Sequence, residues 1–273
     1  MRWRFDTASA LIGGAVALLL VGLAYYFRDA LRLGWETVVA PLVRLRHRLE
    51  ASAADHYREL VSNWARSLAV PASLISLDDI FVEPRLRAPL PAPQSLSESM
   101  LEPPTSQVLP LRRTLGGHPR LVILGAPGTG RTTLLAYVAL ACVRTVSGGG
   151  SNGEAGPTLG PVETRLPLYV WLPAMDWSGT DGAESGLLSL LHAAVATVGG
   201  SSGMVSALRQ RMEAGQALVL ADGWDELSPR QRELAAAWLA ALVDTLPGNL
   251  WLVGAGTRGY APLTEAGFVP LTL

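Results

Sequence analysis

Between two stretches that demand regular structure, the chain reads Gly125-Ala126-Pro127-Gly128-Thr129-Gly130-Arg131-Thr132-Thr133. Leu121 to Leu124, before it, is a short apolar run that predicts a buried strand; Thr132 to Val143, after it, predicts a helix. A strand that ends in glycines and opens directly into a helix is the setting of a phosphate cradle. Glycines let backbone amides converge on an anion, and the helix N-terminus adds its partial positive charge. This setting assigns nucleotide binding to Gly125, Ala126, Pro127, Gly128, Thr129, Gly130, Arg131, Thr132 and Thr133. The Thr132 hydroxyl is placed to ligate magnesium. Arg131 stands where such a P-loop carries the lysine that reaches the β and γ phosphates. An arginine is longer, planar and forked, so binding is better supported than hydrolysis. All 22 basic residues of the chain are arginine, so a codon bias explains the substitution as well as any function does.

Beyond residue 120 strand and helix alternate. Strands are expected at 121–124, 166–172, 217–221, 250–253 and 268–273, with helices at 132–143, 186–198 and 229–246. The strands are continuous apolar runs, the pattern of a parallel sheet buried on both faces by helices. Two strand ends carry chemistry. Leu218 to Ala221 leads into Asp222-Gly223-Trp224-Asp225-Glu226. A carboxylate at the end of such a strand is where a P-loop enzyme holds its magnesium, which makes Asp222 the second metal candidate. Asp225 or Glu226 is placed to orient or deprotonate an attacking water. Leu250 to Val253 leads through Gly254-Ala255-Gly256 to Thr257-Arg258. Ligands gather at the carboxyl ends of parallel strands, so Arg258 is a candidate sensor of the γ phosphate.

The first third of the chain is different. Ala8 to Phe27 is an uncharged run of 20 residues, about 30 Å as a helix, enough to cross a bilayer core. Trp3 on one side and Tyr25, Tyr26, Phe27 and Arg28 on the other fit an anchored span, and no small-residue cleavage site comes after it. Mean hydropathy of +0.28 agrees with a membrane segment. Arg28, Arg32, Arg44, Arg46 and Arg48 outnumber Arg2 and Arg4, which puts the C-terminal side in the cytoplasm. Residues 28–75 read as a helical juxtamembrane segment, either a connector or a helix lying on anionic lipid. Asp79 to Glu83 reads as a short strand, Pro84 to Pro110 as a Pro/Ser-rich linker, and Gly148 to Pro161 as a glycine-rich loop. A net charge of −1 gives no support to nucleic-acid binding. One cysteine, Cys142, excludes disulfide and structural-zinc frameworks, and the four histidines have no ligand spacing.

Taken together, these motifs resemble the NACHT group of STAND-type P-loop NTPases. Asp222-Gly223-Trp224-Asp225-Glu226 matches the family's Asp-Gly-x-Asp-Glu motif, and the glycine loop with Thr132-Thr133-Leu134-Leu135 matches its phosphate loop except at Arg131. Pro167-Leu168-Tyr169-Val170 looks like the family's second strand. Thr257-Arg258 sits at its sensor position, with Gly259 in place of the usual proline. The resemblance spans about residues 76–273 and implies an α/β P-loop sheet of strand order 5-1-4-3-2, with ATP or GTP and Mg2+ as cofactors. It also implies a switch between closed monomer and homo-oligomer. The expected organisation is a tail (1–7), a transmembrane helix (8–27), a juxtamembrane helical segment (28–75), a short strand and linker (76–110) and a NACHT-like core (111–273) without the family's lid and winged helix. The function expected is a single-pass membrane protein whose core acts in the cytoplasm as an ATP-dependent signalling or defence switch. The alternatives are a nucleotide-binding membrane scaffold with little or no hydrolysis, and another P-loop ATPase.

Overall fold

Five apolar runs from residue 120 onward come together as adjacent strands of one sheet in a computed structural model. It describes residues 17, 21–22, 50–68, 77–88, 108–146, 159–177 and 182–273. The chain divides into two compact units, Met1–Ala51 and Ser52–Leu273, and the sheet belongs to the second. The expected span at 8–27 lies outside the described residues apart from Ala17, Val21 and Gly22. Among the described residues no helix is long and apolar enough to cross a membrane.

The parallel strands are β3 (Arg120–Leu124), β4 (Leu166–Trp171), β5 (Ala217–Asp222), β6 (Leu250–Ala255) and β7 (Val269–Thr272). Two short strands precede them, β1 (Arg85–Arg87) and β2 (Val108–Pro110). The sheet order is β2-β1-β7-β3-β6-β5-β4. This corrects the expectation of a five-stranded, wholly parallel sheet. The sheet has seven strands and is mixed, because β1 pairs antiparallel with both β2 and β7. Numbered among themselves, the five parallel strands run 5-1-4-3-2. The extra pair comes from what the sequence presents as linker. In Arg85-Leu86-Arg87 only Leu86 is buried, the alternation of a strand with one covered face. The strand expected at 79–83 is also corrected. Leu77–Ile80 is a helical turn, closed by the Phe81 N–H donating to the Leu77 carbonyl at 3.0 Å. Phe81 then stacks on Tyr137, ring centroids 3.5 Å apart.

Helices cover the sheet. Residues 50–67 form α1; from residue 52 it buries Ala54, Tyr57, Val61 and Ala65, a stripe at helical spacing. Tyr57, Val61 and Ala65 of that stripe belong to the same apolar core as the sheet. After α2 (Leu77–Ile80) and α3 (Leu111–Gly117) comes α4 (Arg131–Val146). Every residue of α4 from Leu134 to Val143 is buried, which requires a helix apolar on all sides. Cys142 lies there and donates its thiol to the Val162 carbonyl at 3.3 Å. Burial, then the charge of Glu163, pushes that thiol up to about 12. α5 (Ala183–Thr197), α6 (Val205–Glu213), α7 (Pro229–Thr245) and α8 (Ala261–Glu265) complete the set. α7 starts on a capping box: Ser228 and Gln231 exchange side chain-to-backbone hydrogen bonds, with Pro229 at the first helical position.

Candidate nucleotide site

The parallel register brings four strand ends to one edge. Trp171 is level with Asp222, Ala221 with Val253, and Leu124 with Ala255. The loops after β3, β4, β5 and β6 therefore emerge side by side, where ligands bind in open α/β sheets.

The glycine loop leaves β3 still tied to β6, through the Gly125 N–H on the Ala255 carbonyl at 3.2 Å. Its own turn is closed by the Thr129 N–H and hydroxyl, both on the Ala126 carbonyl at 3.2 and 2.9 Å. A side chain at Gly125 would run into the Thr129 hydroxyl, and Gly130 has φ +91°. Both positions need glycine for these reasons. α4 begins at Arg131 and its first external bond runs from the Leu134 N–H to the Gly130 carbonyl at 2.8 Å. The N–H groups of Gly130, Arg131, Thr132 and Thr133 have no acceptor among the described residues. They are the orphan donors of a helix start, facing a loop whose residues 126–129 are exposed.

Thr132 and Asp222 meet. The Thr132 hydroxyl, on the helix that follows β3, donates to Asp222 Oδ2 at 2.7 Å, although β6 lies between β3 and β5. Gly254 in β6 makes the crossing possible: a methyl there would stand 2.8 Å from Asp222 Oδ1. Asp222 is 3% exposed and has three donors in all, adding Tyr169 OH at 3.2 Å and the Gly223 N–H at 2.9 Å. That is what a buried carboxylate requires. Tyr169 is itself held protonated far above the usual phenol range, by burial first and then by the Asp222 charge.

Arg131 and Asp225 also meet. Nη1 and Nη2 of Arg131 donate to Oδ1 and Oδ2 of Asp225, each at 2.8 Å. This is a two-pronged, charge-assisted pair. The hydrogen bond from Arg131 holds the Asp225 carboxyl below the usual carboxylate range, against its partial burial. Arg232, in the first turn of α7, fixes the main chain there, donating to the carbonyls of Trp224 (3.2 Å) and Asp225 (2.8 Å). Gly223 adopts φ +84°, and a side chain there would strike Pro173. Trp224 is fully buried and donates its indole N–H to the Gly259 carbonyl at 2.9 Å.

Of the residues expected at the site, Arg131, Thr132, Asp222 and Asp225 thus form two adjoining side-chain pairs. Glu226 and Arg258 are exposed and join neither pair. Residues not foreseen are Tyr169, Arg232, Gly254 and Gly256, the last leaving only 3.2 Å between an added methyl and Asp225 Cβ. Gly254 had a readable signal, a glycine inside an apolar strand, which marks close approach of another group. An apolar cavity of about 560 Å³, lined by Trp64, Tyr169, Trp171 and Ala196 among others, opens beside Thr132. The hydroxyls of Thr132, Tyr169 and Thr197 on its wall are all already donating within the protein. Among the described residues there is no cluster of three or more His, Cys, Asp and Glu that could hold a metal alone. In comparisons with known proteins, no family model and no curated protein matches the chain.

Proposed function

We propose that the chain binds a nucleoside triphosphate with Mg2+ at the edge formed by the glycine loop, Asp222 and Asp225. On this reading it works as a membrane-anchored, NACHT-like switch in signalling or defence, with its core on the cytoplasmic side and a homo-oligomer as one of its states. The observation that carries the reading is the 2.7 Å bond between Thr132, at the start of α4, and Asp222, at the end of β5. A hydroxyl and a carboxylate side by side are hard oxygen donors of the kind Mg2+ takes when it shares its shell with phosphates and water. Thr132 and Asp222 would hold the ion, which supplies charge neutralisation at the phosphate oxygens. The free N–H groups of residues 130–133 suit the phosphates. ATP rather than GTP rests on the resemblance to the family alone.

A second reading, a nucleotide-binding membrane scaffold with little or no turnover, is favoured by the Arg131–Asp225 pair. Asp225 is one of the two carboxylates expected to order a water, and here the guanidinium occupies both of its oxygens. The two readings separate in one set of measurements on the full chain. The switch reading expects slow ATP hydrolysis and nucleotide-dependent change in oligomer size, both lost in Asp222→Ala. The scaffold reading expects Mg2+-dependent binding with no turnover. Absence of binding would remove both. Resistance of the chain to alkaline extraction from membranes tests the anchor, and release into the soluble fraction would refute it.

A further inference from the structure

The Arg131 side chain does not extend into solvent from the loop. Its Cγ and Cδ lie back over Gly125, where a methyl would come within 3.2 and 3.4 Å of them. From there the guanidinium reaches Asp225, with only 11% of the side chain exposed. Asp225 is the stationary partner. Its main chain is gripped by Arg232, Trp224 next to it is buried and tied to Gly259, and Gly256 closes against its Cβ. Arg131 is the movable one, a long side chain on the first residue of α4, flanked by orphan amides that suit phosphate.

A carboxylate and a terminal phosphate present a guanidinium with the same target, two oxygens that accept a pair of parallel N–H bonds. We propose that Asp225 is a built-in stand-in for the terminal phosphate: a bound nucleoside triphosphate takes Arg131 from Asp225, and a diphosphate does not. Asp225 is then freed in response to the third phosphate specifically. This rests on the nucleotide-binding reading above and deepens it, assigning Arg131 and Asp225 the role of distinguishing tri- from diphosphate. No bond is made or broken except hydrogen bonds, which are exchanged two for two.

A competitor lowers apparent affinity by the fraction of time it occupies the site. Removing the Asp225 charge therefore tightens binding of the ligand that competes with it. The test is equilibrium binding of Mg2+-ATP and Mg2+-ADP to the full chain, native and Asp225→Asn, with Asp225→Glu as a variant that keeps the charge. The expected result is that Asp225→Asn binds ATP about tenfold more tightly and binds ADP within about twofold of the native chain, and that Asp225→Glu tightens ATP binding less than Asp225→Asn does. Equal tightening for ATP and ADP would mean simple repulsion between the carboxylate and phosphates and would overturn the proposal. So would unchanged or weaker ATP binding in Asp225→Asn beside a native chain that binds. If no form binds either nucleotide, the nucleotide-binding reading fails and takes this proposal with it. A melting curve for each variant separates loss of fold from loss of binding.

Discussion

Gly254→Ala adds one methyl to β6 and probes whether Asp222 and Thr132 meet as described. The new carbon would stand 2.8 Å from Asp222 Oδ1, 3.3 Å from Leu135 Cδ1 and 3.6 Å from Asp222 Cγ. Real methyl contacts do not reach 2.8 Å, and neither neighbour yields easily: Leu135 is fully buried and Asp222 has three donors. Two terms oppose each other. Replacing glycine by alanine in extended backbone stabilises by roughly 0.4–1 kcal/mol through the unfolded chain. Overpacking costs about 1–3 kcal/mol, and a carboxylate pushed off the Gly223 N–H leaves a buried donor unpaired at about 1–3 kcal/mol more. The clash wins, with a net loss on the order of 2–4 kcal/mol. Urea denaturation monitored by far-UV circular dichroism measures it. Stability within about 0.5 kcal/mol of native, the usual range for an unconstrained position, would refute the packing of β6 against Asp222.

Three further outcomes are expected from the same structure. The Asp225 carboxyl is held low by Arg131, so its contribution is present above the unfolded value near pH 3.9 and is lost as pH falls through the depressed folded value. The native chain is expected to exceed Asp225→Asn by about 1–2 kcal/mol at pH 7, discounted for partial exposure, and the gap to close in urea titrations run below about pH 4. Asn249, 2% exposed, accepts from the Ala217 N–H and donates to the Met212 and Leu246 carbonyls; Asn249→Ala is expected to cost about 2–4 kcal/mol in the same assay. The Cys142 thiol, buried and pushed up to about 12, should resist a thiol reagent at neutral pH and react only as the chain unfolds; rapid labelling of the native protein would contradict its placement.

What the sequence makes legible is what depends on neighbours along the chain. The continuous apolar runs at 121–124, 217–221 and 250–253 became β3, β5 and β6 within two residues at each end, because strands buried on both faces cannot tolerate polar residues. The loop and the Asp222 motif were legible because each sits directly after such a strand. The hairpin of β1 and β2 was not, since Arg85-Leu86-Arg87 offers a single buried side chain amid prolines. α6 was missed for a related reason: Val205 to Glu213 buries only Ala207, Leu208 and Met212, too few to outweigh its polar residues. Pairing across 94 positions, as between Arg131 and Asp225, leaves no local trace. Arg131 was assigned to the nucleotide by its place in the loop, and its partner in this structure is set by where β5 ends in space. Arg258 was placed by its strand end and by the resemblance of Thr257-Arg258 to a sensor pair, and neither fixes the direction of an exposed side chain.

On the reading proposed above, Thr132 and Asp222 make one site for a Mg2+-nucleotide. Isothermal titration of the full chain with ATP, in Mg2+ and then in excess chelator, tests it most directly when repeated on Thr132→Ala and Asp222→Ala. The native chain is expected to bind saturably at one-to-one stoichiometry, weakened at least about tenfold by chelator or by either substitution. Native binding that is indifferent to Mg2+ and to both substitutions, or no binding at all, would contradict it.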